Sequence, residues 1–468
     1  MEKERRLPQG ENKMATMGIG KLLVNMATPI IIAMVVQALY NIVDSFFVAR
    51  ISDVKEETES AIAAMSLAFP VQNLIIGFAT GIGVGVNSLM SKSLGEGNQE
   101  RANRAAGNGI LLTLIAWTAF ILFGIFGTRT FFTIQSDVTL TVEGGTTYTT
   151  IVCLFSLGIF VEVLGERLLQ ASGRTFYTLI TQGTGAIINI ILDPILIFGM
   201  FGLPRMGLAG AAIATVIGQW IAAGLALFFN IKFNPDVQLG LKFMKPRWDI
   251  LRPVLTVGVP SIIMTGIGSV MNFAMNQILL GFKHLGEIPT GVFGIYFKLQ
   301  SFFFMPLFGL NNAAISIIAF NYGARKPERI TKTLKISLVS ALTFMLVGLT
   351  VFQTIPGMLL QIFQNEPTFL AVGQVALRII SLHFPLAAVC ICLISSFQAL
   401  GTGIYSTFVS LCRQMLALLP AAFLLSMAGN IDLVWWAFPI AELVSVIATL
   451  LFYLRIYRKK IRPLFAAQ

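Results

Sequence analysis

Two aspartates stand in stretches of sequence where no other side chain ionises. Asp44 is alone in the apolar run from Leu22 to Ala49, and Asp193 lies in NIILDPILIF, inside a second run from Phe176 to Met200. Amides accompany both: Gln37, Asn41 and Asp44 stand at i, i+4 and i+7, and Asn189 and Asp193 at i and i+4, so on a helical period each set shares a face. Carboxylate and amide oxygens are the ligands of a hard cation, and a carboxylate is also a proton site. A carboxylate within a bilayer costs about 2.5 to 3.5 kcal/mol on insertion scales and is kept there for function. Two of them close together in low dielectric do not both ionise readily, so one takes a proton near neutral pH unless a cation neutralises the pair. The pattern predicts a switch in which a proton or Na+ on Asp44 and Asp193 excludes, or is excluded by, a cationic cargo. Pro194 lacks a backbone N–H and opposes the carbonyl four residues back, leaving that of Ile190 for a ligand or water. Two structural alternatives stand beside this reading: Gln37 and Asn41 as polar glue between helices, and Asp193 as a cap on the helix break.

The elements that must position these groups are membrane helices. At about 1.5 Å per residue, the run from Leu22 to Ala49 exceeds the roughly 30 Å hydrocarbon core of a bilayer. Of the 468 residues, 56% are hydrophobic and 12% charged, and the mean hydropathy is +0.79, outside the range of soluble domains with about 25% charged residues. The leading residues are polar and the first apolar run is too long for a cleaved signal, so the first helix is expected to stay. Further runs occur at about 61–90, 107–127, 146–170, 176–200, 207–230, 251–282, 290–320, 334–352, 369–399, 404–427 and 433–457, twelve in all.

The net charge of +11 is read as topology rather than nucleic-acid binding, because the basic residues lie in connections and form no face with interleaved aromatics. Alternate connections carry 24 and 5 Lys and Arg residues, which by the positive-inside rule places both termini in the cytoplasm. The sequence repeats itself: GEGNQER at 95–101 returns as GARKPER at 323–329, and QASG at 170–173 as QALG at 398–401, both displaced by 228 residues. Pro29 with Asn41 is echoed by Pro260 with Asn272, displaced by 231. The expected fold is all-α, with twelve transmembrane helices in two six-helix lobes related by a pseudo-two-fold axis along the membrane normal. The expected division is a cytoplasmic segment 1–20, a lobe 21–231, a linker 232–249, a second lobe 250–457 and a basic tail 458–468.

Other polar residues in the runs are candidates for a substrate cavity. Glu162 lies in the middle of the fourth span, while Glu166 and Arg167 near its inner end are expected to snorkel or pair. In the second half Lys298, Arg378, His383 and Glu442 are expected to be buried, in a cavity or in internal ion pairs. The four cysteines read as packing residues, and two distant histidines do not make a metal site. The glycines at 77, 81, 83 and 85 lie inside a span with no preceding strand, so they read as helix packing rather than a nucleotide loop. No hydrolase or P-loop motif occurs, so an ion gradient, or the substrate's own, is left as the driving force.

The first-span pattern of Pro29, Gln37, Tyr40, Asn41 and Asp44, the NxxxDP of Asn189 to Pro194 and the paired loops resemble the multidrug and toxic compound extrusion (MATE) family, more narrowly its MepA-like and DinF-like bacterial branch. The resemblance implies two lobes in a V, alternating access, and export of small organic cations in exchange for Na+ or H+, with no cofactor and no enzymatic activity. A multi-pass protein of the bacterial inner membrane, acting as a monomer, is expected. It matches Asp44 to the family's essential first-helix aspartate, Gln37 to its neighbouring glutamine, Asn189 and Asp193 to the fifth-helix pair, Thr215 to a sixth-helix threonine and Pro29 to the proline where the first helix bends. The acidic residues that the NorM-like branch carries on helices seven and ten are absent, those spans holding Asn272, Asn276, Arg378 and His383, so the ion site is expected in the first lobe. A relative with a similar fold, the flippase of lipid-linked oligosaccharide, is the alternative, and Lys298 and Arg378 facing the central cavity would favour it.

Overall fold

A computed structural model describes residues 12–48, 50–51 and 54–466, without the side chains of residues 41, 42, 44–46 and 55. Hydrocarbon offers backbone groups no partner, so a chain this apolar must satisfy them within helices. The first half forms α1 (Lys13–Thr16), α2 (Ile19–Val48), α3 (Lys55–Gly95), α4 (Gln99–Phe126), α5 (Thr128–Gln135), α6 (Thr139–Leu154), α7 (Leu157–Ala171), α8 (Thr175–Phe198) and α9 (Gly207–Phe233). The second forms α10 (Trp248–Leu280), α11 (Ile288–Gly323), α12 (Pro327–Thr354), α13 (Pro356–Gln361), α14 (Pro367–Ser381), α15 (Phe384–Ala399), α16 (Gly403–Leu411), α17 (Leu419–Ser426), α18 (Ile431–Val434), α19 (Ala437–Ile456) and α20 (Arg462–Ala466). Among the described residues ten stretches are long and apolar enough to cross a bilayer, and two helix pairs, α6 with α7 and α14 with α15, do so jointly, each bent by 45°. These make the twelve spans that the apolar runs predict.

The repeat governs details as well as the count. The two bent spans are the fourth of each half, and their breaks, at Phe155 and His383, are again 228 residues apart. Gly173 and Gly401 end equivalent helices in the left-handed region, at φ 80° and 69°. Gly97 does the same at φ 73°, and its counterpart is Arg325, held at φ 53° although it has a side chain. The turn geometry is retained where the glycine that makes it easy is lost.

Small residues join the lobes. A Cβ built on Gly95 would run into the carbonyl oxygen of Phe320, and one on its repeat partner Gly323 into that of Lys92. Along the same seam a Cβ on Gly81 would lie 2.7 Å from Gly258 O, and one on Gly258 2.9 Å from Gly81 O. Thus α3 packs backbone to backbone against α10 and α11, the kind of helix contact that glycine permits and lipid does not oppose. Of the glycine run at 77–85, Gly77, Gly81 and Gly85 face α10, while Gly83 faces Val163 and Arg167 of α7. Side chains reinforce it: Ser88 Oγ donates to Gln398 O (2.8 Å) and Ser316 Oγ to Asn87 Oδ1 (3.0 Å).

At the same end α1 fastens to both lobes. Asn12 caps α1 by accepting from Met14 N (2.9 Å) and donates through Nδ2 to Ser172 O (3.4 Å) in the first lobe. From the second lobe Arg329 Nη2 donates to Met14 O (2.9 Å) and Met17 O (2.8 Å), and Lys326 Nζ to Ala15 O (3.4 Å). Met14 is fully buried beneath these bonds. Burial, with Arg174 nearby, pulls the Lys13 ammonium down to about 8.

Two outcomes follow. Gly323→Val must push α11 away from α3, so chemical cross-linking between cysteines placed at 96 and 324 should fall severalfold against the same pair in the Gly323 background. Because docking lowers the affinity of Lys13 for its proton, undocked chains hold more protons between about pH 8 and 10.5, and docking should tighten as pH rises through that window. Amide exchange of residues 13–17, corrected for its intrinsic pH dependence, reads this directly.

Candidate functional site

The best-defined polar cluster lies between α8 and α9. Asn189 and Asp193 occupy one face of α8, with 3% and 0% of their surface exposed. Asn189 Nδ2 donates to Asp193 Oδ1 (3.3 Å) and to Thr215 Oγ1 of α9 (3.3 Å). The helices come this close because glycines of α9 face the backbone of α8: a Cβ on Gly218 would lie 2.8 Å from Gly185 O, and one on Gly210 2.6 Å from Leu196 O. Asn189 Oδ1 is buried without a hydrogen-bond partner, an uncommon state for a buried amide oxygen. The seam thus gathers a carboxylate, an amide oxygen and a hydroxyl, the donor set of a small hard cation or a proton. Pro194 lies inside α8 without ending it, and the helix closes at Gly199 in the left-handed region.

The helix that carries Asp44 runs alongside. α2 packs on α8, with Thr175 Oγ1 donating to Asn25 O (3.4 Å) at one end and the rings of Phe47 and Phe198 meeting edge-on at 6.3 Å at the other. Phe47 is three residues beyond Asp44 and Phe198 five beyond Asp193, so the two stretches lie at a common depth. The side chains of Asp44 and Asn41 themselves lie outside the described residues. Gln37 and Tyr40, one turn earlier, are half-buried. Pro29 sits within α2, and two residues on, the Ile31 backbone meets α11 so closely that a Cβ on Gly309 would lie 3.0 Å from its nitrogen.

Elsewhere the expectations need adjusting. Glu166 and Arg167 do not snorkel: both are buried, with Glu166 accepting from Thr181 Oγ1 (2.7 Å) and Gln182 Nε2 (2.8 Å) and Arg167 donating to Gln170 Oε1 (3.0 Å). Glu166 is held by polar side chains of the facing helix α8, and Arg167 by Gln170 one turn along its own helix. Glu162, one turn from Glu166, is half-buried. Lys298 and Arg378 are exposed rather than buried. The long Lys298 side chain carries its ammonium to the Phe363 ring, 6.0 Å from the centroid, in the connection after α13. Asn272 donates to Gly268 O of its own helix (3.1 Å), and Asn276, a turn further, is half-buried.

His383 and Glu442 are buried, as expected. His383 sits at the break between α14 and α15, its Nδ1 2.6 Å from Ile380 O and its ring among those of Phe304, Phe384 and Phe438. Glu442 faces Arg413 at 3.7 Å. Arg413 escaped the sequence reading, although a single arginine ten residues into the apolar run from Ile404 was there to signal it. It stands in a π-helical turn, Cys412–Leu418, that joins α16 to α17.

Asn189 should be the keystone of the first-lobe cluster. Thr215→Val removes one of its contacts and should cost about 1 kcal/mol, whereas Asn189→Ala removes both at once and should cost about 1 to 3 kcal/mol, measured by thermal melting in detergent.

Relatives share this architecture. The chain is 26% identical to the FAD transporter of Shewanella oneidensis over 434 residues, 92% of this chain and 93% of that protein. It is 24% identical to the multidrug export protein MepA of Staphylococcus aureus over 440 residues, 92% of each. A solved outward-facing multidrug resistance transporter of the MATE family superposes with a TM-score of 0.89 at 22% identity, over 98% of this chain and 99% of that one. The MatE family profile matches twice, over residues 29–195 and 260–424, once for each half of the repeat, and the chain belongs to that family.

Proposed function

We propose that this protein is a secondary antiporter of the bacterial inner membrane, with both termini in the cytoplasm, that exports lipophilic organic cations in exchange for Na+ or H+. The buried oxygen cluster of Asn189, Asp193 and Thr215, on a helix packed against the one that carries Asp44, is the observation that carries this reading. Asp44 and Asp193 hold the coupling cation in turn, and Gln37, Asn41, Asn189 and Thr215 supply oxygens. Family membership and a relative named as a multidrug export protein support the transport class.

Bending of α2 at Pro29 changes the first-lobe cavity, and the tight contact of Ile31 with Gly309 passes that change to the second lobe. Tyr40, Glu162, Asn272, Asn276, His383 and Glu442 are placed in the path of the cargo, whose flat cationic rings suit walls rich in Phe and Met. The protein acts as a monomer. The flippase reading would draw on Lys298 and Arg378 in the central cavity; the Lys298 ammonium against the Phe363 ring speaks for the antiporter instead.

Efflux of a cationic dye from reconstituted vesicles, with sodium and pH gradients imposed separately, tests the proposal. Wild type should respond to one gradient, and Asp44→Asn and Asp193→Asn should each lose at least about tenfold in ion-driven rate while still binding dye. Wild-type rates in Asp44→Asn would overturn the assignment.

A further inference from the structure

A second site lies at the end of the molecule where α3 ends and α10 begins. A cleft of about 430 Å³ opens across the lobe seam, walled by Lys92 and Arg101 of the first lobe and by Arg252, Thr256, Gly401 and Lys460 of the second. Four cations face this space, and among the described residues their salt bridges run to one carboxylate, Glu96. Glu96 lies 3.6 Å from Lys92 and 3.2 Å from Arg101. Arg252 has no carboxylate partner among the described residues, and Lys460 Nζ donates to the carbonyl of Leu400 (2.6 Å). Like charges gathered around a cavity repel one another, and a group that brings negative charge and several acceptor oxygens relieves the repulsion while accepting charge-assisted hydrogen bonds.

The position narrows the ligand. Arg252 stands four residues into α10, Lys92 three residues before the end of α3, and Lys460 in the last turns of the chain. All three therefore lie at helix ends, the level of the lipid head groups, where basic pockets between membrane helices take anionic lipids.

We propose that this cleft binds a phosphate group, supplied by an anionic phospholipid such as phosphatidylglycerol or by a free phosphate ester, and that the bound group ties the two lobes together at this end. Because the cleft draws residues from both lobes, its ligand stabilises only the arrangement in which α3 and α10 are in contact.

Binding of phosphatidylglycerol to the purified full-length protein in phosphatidylcholine nanodiscs tests the site. Arg252→Gln with Lys460→Gln should weaken binding roughly thirtyfold, as expected for two basic contacts. Arg458→Gln with Lys459→Gln, which removes two basic residues outside the cleft, should leave it nearly unchanged. Where the cleft double variant does not melt like wild type in phosphatidylcholine alone, Arg252→Gln by itself, at an exposed side chain, replaces it. Competition by glycerol 3-phosphate at millimolar concentration would assign the cleft to free phosphate esters, and its absence to lipid. Equal losses in the cleft and control variants, or none in either, would overturn the proposal.

Discussion

The approach of α3 to α10 and α11 sets the terms for everything else in this molecule. Lipid tails are as apolar as leucine, so two membrane helices gain little from hiding apolar side chains against each other, and close backbone contact supplies the attraction instead. Gly81, Gly95, Gly258 and Gly323 provide that contact, and at each of them a single methyl group would meet a carbonyl oxygen. Gly95 and Gly323 are the same position in the two copies of the repeat, so each half offers the other the same close approach.

Away from that contact the halves diverge in what they bury. The first lobe places Asn189, Asp193 and Thr215 together, and adds Glu166 held by Thr181 and Gln182. The second places an arginine against a glutamate and rings its histidine with phenylalanines. One scaffold used twice therefore carries two electrostatic interiors. Glu442 makes only a loose pairing at 3.7 Å and leaves an oxygen without a hydrogen bond, a costly state in low dielectric. The π-helical turn beside it at Cys412–Leu418 is the local irregularity that often accompanies a working polar group in a membrane helix.

Much of this was legible in the chain itself, for physical reasons. Bilayer thickness makes span length a strong signal, and the count of twelve survives even though two spans are bent pairs. The repeat offset of 228 residues, read from two short motifs, also locates the breaks at Phe155 and His383. The faces that carry Asn189 and Asp193 follow from helical spacing alone. Side-chain reach did not follow: Lys298 lies deep in an apolar run, yet its four methylenes carry the charge out to Phe363. Nor did partners on other helices, since nothing in the order of residues tells Glu166 that Thr181 and Gln182 will face it. Arg325 shows the same limit for the backbone, because an arginine gives no hint of a left-handed turn that only its glycine counterpart at 97 betrays.

The short helix ahead of the first span acts like a strap. Arg329 gives two N–H groups to the carbonyls of Met14 and Met17, Lys326 gives one to Ala15, and Asn12 reaches Ser172 on the opposite lobe. Any swing that parts the lobes at this end has to unbuckle those bonds first. On the transport cycle proposed above, the tempo of that stroke is therefore tied to a few residues outside the polar cluster of α8 and α9, so that lengthening or trimming this strap is expected to alter speed rather than selectivity.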